Sequence, residues 1–98
     1  MELQLFAWDE AKNESNRRKH GVSFEAATLV FDDPLHLTRQ DRVENNEQRW
    51  QTIGMVSGVT LLLVAHTWHE AESGSEHIRI ISARRATKLE RKIYEQGT

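Results

Sequence analysis

The chain has 98 residues, enough for one hydrophobic core and too few for two, so residues 1–98 are predicted to form a single domain. It has no cysteine, which excludes disulfides and thiolate chemistry, and its net charge of −2 argues against a general nucleic-acid-binding surface. Because no apolar run is long enough for a membrane span and the N-terminus lacks a signal peptide's pattern, a cytoplasmic protein is predicted.

The first third of the chain predicts an edge strand followed by two helices. Residues 3–8 are short and mostly apolar, as expected of an edge strand. Asp9 is a plausible N-cap for a helix that ends before Gly21, a residue that tolerates positive φ. That helix is polar on nearly all sides, so it is expected to be stable only when it packs against the rest of the protein. A second helix is predicted to begin at Ser23 and to end at 32–34. Its side chains Phe24, Ala27 and Phe31 are predicted to face the core.

These two helices are joined by a short turn, which suggests a helix-turn-helix and a DNA-binding function. The second helix, residues 24–31, has no Arg, Lys, Asn or Gln that could contact base edges. Direct DNA recognition is therefore excluded.

From Leu35 onward the pattern becomes that of strands. Apolar and polar residues alternate over 35–38, which predicts a strand, and the polar residues 40–48 predict a loop. Residues 50–56 and 59–65 are predicted to form a hairpin whose turn is Ser57-Gly58. With a last strand near 78–81, the prediction is an α+β fold. It comprises an antiparallel β-meander of about four strands, two N-terminal helices and one C-terminal helix.

The last strand leads into an amphipathic helix with a basic side. Its predicted inward residues are Ala86, Leu89, Ile93 and Tyr94. Between 79 and 92 there are six basic residues against Glu90, a local charge of +5. This side is either a solvated helix surface or a docking surface for phosphates or an acidic partner.

Several separated motifs, in order, resemble the BrnT family. At the C-terminus these are residues 78–86, followed by Glu90-Arg91 and Tyr94. At the N-terminus they are residues 6–9, Lys12, Asn16, 19–22, Phe24, Ala27 and 31–34, and in the middle Arg49-Trp50 and Gly54. The family comprises small ribonuclease toxins of type II toxin–antitoxin pairs, and the resemblance covers nearly the whole chain.

The resemblance implies a RelE-like fold, cleavage of RNA and arrest of translation. It also implies a cognate antitoxin that is BrnA-like and of the ribbon-helix-helix kind. The toxin would then associate with DNA only through this antitoxin. Neither a cofactor nor a metal is expected; in a strand, His66 and His69 would point to opposite faces. The alternative is a non-catalytic antitoxin-binding or regulatory module of the same fold, which the slightly acidic charge favours.

A metal-free ribonuclease needs a proton carrier and cations that stabilise the phosphorane. We expect His20, Arg79 and Arg84 to be catalytic, with a helix-capping histidine and arginine–carboxylate ion pairs as the structural alternatives. Candidate RNA-binding residues are Lys19, Arg85, Trp8 and Tyr94, of which the two aromatic residues could equally be core.

These groups are far apart in sequence, so a common site requires the fold to bring them together. We predict that His20, Arg79 and Arg84 meet on one concave face, because proton transfer and charge stabilisation act on the same phosphate.

Overall fold

The computed structural model describes residues 3–97. Helix α1 spans Glu10–His20, α2 spans Phe24–Thr28 and continues into a 3₁₀ turn at Leu29–Asp32, and α3 spans Lys88–Gln96. The strands are β1 (Gln4–Ala7), β2 (Leu37–Glu44), β3 (Glu47–Val56), β4 (Thr60–His66), β5 (His69–Glu70) and β6 (Glu76–Arg85). None of the helices in residues 3–97 has the length and apolarity to cross a membrane.

The fold is α+β with three helices, and its sheet is mixed. The strand order is β1-β6-β4-β3-β2, with β5 pairing the start of β6. Strands β2, β3, β4 and β6 are antiparallel neighbours, as the predicted meander requires. The edge strand β1 pairs with β6 in parallel, however, so a purely antiparallel sheet is a wrong prediction. This pairing joins strands separated by most of the chain, and no local signal specifies it.

The predicted loop at 40–48 is also wrong, because these residues form the turn end of a β-hairpin that spans 37–56. Strands β2 and β3 are joined by Asn45-Asn46, which have φ values of 53° and 64°. Two adjacent residues with positive φ form the tight turn that matches the twist of a hairpin, and asparagine tolerates this conformation better than most residues. The predicted turn between β3 and β4 is confirmed, with Ser57 at 55° and Gly58 at 68°.

Helix α1 has the predicted ends but docks through polar side chains. Asp9 caps its N-terminus by accepting from two backbone amides, and Gly21 ends it in the left-handed conformation. Its buried residues are Asn13 and Asn16. The Asn13 carboxamide oxygen accepts from Phe24 N at 2.8 Å, which ties α1 to the start of α2.

The two sides of the sheet carry separate apolar clusters. On one side, which we call the α1 face, α2 and the 3₁₀ turn cover residues of β4 and β6, while α1 lies against β6. Its buried residues are Val22, Phe24, Ala27, Val30, Leu62, Val64, Ile78, Ile80 and Ala83. On the other side, the α3 face, the short helix α3 covers a smaller cluster of Ile53, Leu61 and Leu63, with Met55, Ala86 and Tyr94 partly buried against it.

The orientation of α3 differs from the prediction at one position. Leu89 is 68% exposed, so its placement in the core is wrong. Glu90 is 9% exposed and takes the inward position because its carboxylate binds Arg84. With Glu90 facing the sheet, Ile93 and Tyr94 follow it inward and Leu89 is left at the rim.

Candidate functional site

Beyond the edge of α3, the α3 face of the sheet is open and carries charged side chains. Antiparallel partners project to the same face, so the pairing of Leu63 with Ile53 places the odd-numbered residues of β3 on this side. Strand β6 adds Arg79, which lies between the oppositely directed Ile78 and Ile80. We define the open face by Arg39, Glu47, Arg49, Gln51 and Arg79.

Glu47 is at the centre of this surface, between two arginines. Arg79 Nη2 donates to Glu47 Oε1 at 2.8 Å, and Arg49 Nη2 lies 4.0 Å from the same oxygen. The hydrogen bond from Arg79 is the main cause that lowers the pKa of Glu47; burial opposes it, and the charges of both arginines add to it. Glu47 is therefore a carboxylate at neutral pH, and it still has lone pairs available to a further donor.

Arg49 has a donor without a partner. Its side chain is 14% exposed, and its Nε is buried without a hydrogen-bond acceptor among residues 3–97. A buried guanidinium that lacks acceptors is costly. Because the Nε itself is enclosed by the protein, an anion on the open face would meet the terminal nitrogens of Arg49, and phosphate oxygens match a guanidinium in two places at once.

The open face continues onto the edge strand β2. Arg39 Nε donates to Gln51 Oε1 at 2.9 Å, and the Gln51 amide nitrogen donates to Asp41 Oδ2 at 3.3 Å. Arg39 and Gln51 thus extend the charged surface around Glu47 from β3 onto β2, giving an extended surface for a polyanion.

Of the residues predicted to be catalytic, Arg79 lies on the open face and Arg84 lies further along β6 on the same side. Arg84 forms a two-pronged ion pair with Glu90, with Nη1–Oε1 at 2.8 Å and Nη2–Oε2 at 2.9 Å. This contact raises the pKa of Arg84 and lowers that of Glu90 to about 2. Glu90 also accepts from Thr87 N in a capping box, so Arg84 attaches the start of α3 to the sheet.

His20 lies far from Arg79. It ends α1, which is bound through Asn16 to the backbone of Ala83 and whose last turn lies beside Arg85, about 20 Å along β6 from Arg79. The predicted shared face for His20, Arg79 and Arg84 is therefore wrong. The position of α1 depends on the hydrogen bonds of its buried asparagines. The prediction for His20 used only the charge preference of a helix end, which does not indicate where the helix docks.

The candidate RNA-binding residues are dispersed. Lys19 is exposed near the end of α1, and Arg85 lies beside Arg17 and Leu62 on the α1 face. Trp8 packs edge-on against Phe24 with ring centroids 6.2 Å apart. None of these residues lies on the open face.

Tyr94 is engaged within the fold. Its hydroxyl donates to Asp33 Oδ2 at 2.6 Å, a contact that raises the pKa of Tyr94 to about 12. The same Asp33 oxygen accepts from Met55 N at 2.8 Å, so the pair links α3 to β3 and to the turn after the 3₁₀ segment.

Glu47 and the Arg49 donor that lacks a partner within the described residues are features of the candidate site that the sequence pattern did not predict. Their signal is a period of two, Glu47, Arg49 and Gln51, which continues into the apolar Ile53. It becomes visible once Asn45-Asn46 is recognised as a two-residue turn. Within residues 3–97, no three His, Asp or Glu side chains are grouped so as to hold a metal ion.

Comparison with known proteins assigns the family. The family model described as the ribonuclease toxin BrnT of type II toxin–antitoxin systems matches residues 8–90. The 1.1 Å crystal structure of the Brucella abortus ribonuclease toxin BrnT has a TM-score of 0.58 and 27% identity to this chain, and the alignment covers 88% of this chain and 99% of that one. No curated protein sequence matches significantly. The chain therefore belongs to the BrnT family of ribonuclease toxins of type II toxin–antitoxin systems.

Proposed function

We propose that this chain is an endoribonuclease toxin that cleaves RNA on the open face, without a metal ion. The observation that carries the proposal is the position of Glu47, a carboxylate held between Arg79 and the nearly buried, under-partnered Arg49. A general base and two cations at one point are the groups that internal transesterification of RNA requires.

The proposed reaction begins with the ribose 2′-hydroxyl. Glu47 accepts its proton as the 2′-oxygen attacks the adjacent phosphorus, while Arg49 and Arg79 bind the non-bridging oxygens and stabilise the additional charge. The bond from phosphorus to the 5′-oxygen then breaks, leaving a 2′,3′-cyclic phosphate, and solvent protonates the departing oxygen. The low pKa of Glu47 keeps the base ionised at neutral pH, although it also makes it a weaker proton acceptor.

The site assignment changes accordingly. Arg79 is retained as a catalytic residue, and Glu47 and Arg49 are added. Arg84 is proposed to act indirectly, because Nη1 and Nη2 of its guanidinium both donate to Glu90. This ion pair holds α3 beside the open face. His20 lies near the end of β6 that is distant from Arg79 and is left without a catalytic role.

The family supports the remaining parts of the proposal. Type II toxins act with an antitoxin, and we propose a BrnA-like ribbon-helix-helix partner that covers the open face and alone contacts DNA. The exposed basic side of α3, with Lys88, Arg91 and Lys92, suits an acidic segment of such a partner. Cleavage would inhibit translation in the cytoplasm, and the fold is proposed to be RelE-like.

A second candidate function is a non-catalytic antitoxin-binding module. One observation favours it: Glu47 and Arg79 already satisfy each other at 2.8 Å, as a purely structural ion pair would. In that case the chain would bind the antitoxin through the same face and leave RNA intact.

The test is incubation of the purified chain with end-labelled single-stranded RNA in buffer containing EDTA. Fragments ending in a 2′,3′-cyclic phosphate are expected, and addition of Mg²⁺ should not increase their rate of formation. Intact RNA with a chain that still binds its antitoxin would establish the second candidate instead. Cleavage that EDTA abolishes would contradict the metal-free mechanism.

A further inference from the structure

On the α1 face, at the end of the sheet beyond the helices, there is a pocket of about 280 Å³ that the proposed reaction does not use. Its walls include Phe31, His36, His66 and Trp68, and Glu76 and Gln4 provide polar groups at its rim. This volume is near the lower end of the range for small-molecule sites, which suits a planar ring system.

The aromatic walls are held in place by neighbouring rings. Trp68 is packed edge-on by Trp50 with ring centroids 5.3 Å apart, and its Nε1 donates to Glu76 Oε2 at 2.8 Å. Phe31 is packed edge-on against the buried His66 at 5.1 Å. Fixed aromatic rings around a small cavity are the usual means by which proteins bind an unstacked nucleobase.

Both histidines line the pocket, and His66 does so as a neutral ring. Nδ1 of His66 lies 2.9 Å from Thr67 O and must donate to it, so its Nε2 accepts from the Thr52 hydroxyl at 2.7 Å. Burial lowers the pKa of His66, in keeping with that pattern. His36 likewise donates from Nδ1 to Asp33 O at 2.6 Å. Among the described residues that line the pocket there is no lysine or arginine, so a phosphate would meet only the carboxylate of Glu76.

Glu76 presents a carboxylate at the rim of the pocket. The Gln4 amide nitrogen donates to Glu76 Oε1 at 3.4 Å and Trp68 Nε1 donates to Oε2 at 2.8 Å, and each oxygen keeps a further lone pair. The carboxylate thus offers two adjacent acceptors. The Watson–Crick edge of guanine presents the complementary pair of adjacent donors, N1–H and N2–H. Adenine and cytosine each place a ring acceptor against the carboxylate, and uracil offers a single donor.

We infer that this pocket binds a guanine base of the single-stranded RNA substrate and so contributes to the sequence preference of the toxin. The inference rests on the proposed function for its biological role, but the pocket itself can be tested without cleavage. The pocket and the open face lie at the same end of the sheet on opposite sides, since Trp50 and Arg49 are consecutive in β3. A strand that passes around this end could place a base in the pocket and a phosphate beside Glu47.

The test is calorimetric titration of the full chain with GMP, AMP, CMP and UMP. GMP should bind at one site about tenfold more tightly than the others, the discrimination that one two-point base contact provides. Glu76→Gln replaces one acceptor by a donor and should remove this preference. The matched control Glu72→Gln, in the exposed loop before β6, should leave it intact. Circular dichroism would verify that both variants are folded.

Equal binding of the four nucleotides, no saturable binding, or a guanine preference that survives in Glu76→Gln would overturn the inference. Cleavage assays separate the two proposals. If the chain cuts RNA but does not bind GMP selectively, the pocket assignment fails and the proposed function stands. If it binds GMP selectively through Glu76 but leaves RNA intact, the pocket stands and the proposed function fails.

Discussion

Asn16 and Ala83, separated by 67 positions, are joined by a reciprocal pair of buried hydrogen bonds. The carboxamide nitrogen donates to Ala83 O at 2.9 Å, and Ala83 N donates to the carboxamide oxygen at 3.2 Å. The same nitrogen donates to Val22 O at 2.9 Å. One amide side chain thus attaches a polar helix to both strand β6 and the turn that follows the helix.

Asn16→Asp should destabilise the protein strongly, because a carboxylate can accept from Ala83 N but cannot donate to the two carbonyl oxygens. We expect the free energy of unfolding to fall by roughly 2–4 kcal/mol in urea titrations at neutral pH. Lys12→Ala, on the exposed side of the same helix, should change it by less than about 0.5 kcal/mol. An Asn16→Asp chain as stable as the parent would show that these bonds do not dock α1.

The Arg84–Glu90 pair should make stability depend on pH in the acid range. Because the pKa of Glu90 falls from its usual 4.5 to about 2 on folding, its contribution is present above 4.5 and is lost as the pH falls towards 2. Glu90→Gln should therefore remove roughly 1–3 kcal/mol at pH 7, a modest range because the Arg84 side chain is 38% exposed.

This prediction is tested by denaturation of both proteins across that pH range. The difference in free energy of unfolding between parent and Glu90→Gln should shrink steadily as the pH falls from 4.5 to 2. The exposed Glu95→Gln serves as a control and should show almost no difference at any pH. A gap between parent and Glu90→Gln that stays constant with pH would exclude the ion pair as its source.

The orientation of α3 predicts unequal effects for its two aliphatic residues. Ile93 is half-buried against the sheet, so Ile93→Ala should cost roughly 1–2 kcal/mol of unfolding free energy. Leu89 is 68% exposed, and Leu89→Ala should cost less than about 0.5 kcal/mol. If thermal or chemical denaturation gave the reverse order, α3 would be rotated from the orientation described above.

Gly54 is required by a close approach between β3 and the 3₁₀ turn. A Cβ at this position would lie 2.7 Å from both Cβ and O of Val30, so the turn would have to move away from the strand. Gly54→Ala should destabilise by roughly 1–3 kcal/mol, as overpacking does. Gly58→Ala meets open space and should cost only about 1 kcal/mol, for its φ of 68°. Equal losses in a denaturation assay would rule out the steric explanation.

Local signals predicted local features well. The cap at Asp9, the helix end at Gly21 and the turn at Ser57-Gly58 each depend on a few neighbouring residues, and each is confirmed. The hairpin turn Asn45-Asn46 was missed because the polar residues around it are also typical of a loop.

The features that sequence could not predict depend on residues far apart in the chain. The parallel pairing of β1 with β6 and the docking of α1 through Asn16 join distant segments. The same limit applies to the site. Arg79 was identified from its strand, but its partner Glu47 lies 32 positions earlier. His20 was assigned by its chemistry alone, and its face depends on how α1 docks.

We propose that Glu47 and Arg79 act together to cleave RNA on the open face. The single-turnover cleavage rate of purified variants on one RNA tests this proposal. Glu47→Gln and Arg79→Ala should each lower the rate by about 10²–10³-fold, with circular dichroism unchanged. His20→Ala and the control Glu72→Gln, in the exposed loop before β6, should stay within about threefold of the parent, since neither residue belongs to the proposed centre. Full activity in Glu47→Gln, or a loss in His20→Ala as large as in Arg79→Ala, would contradict the claim.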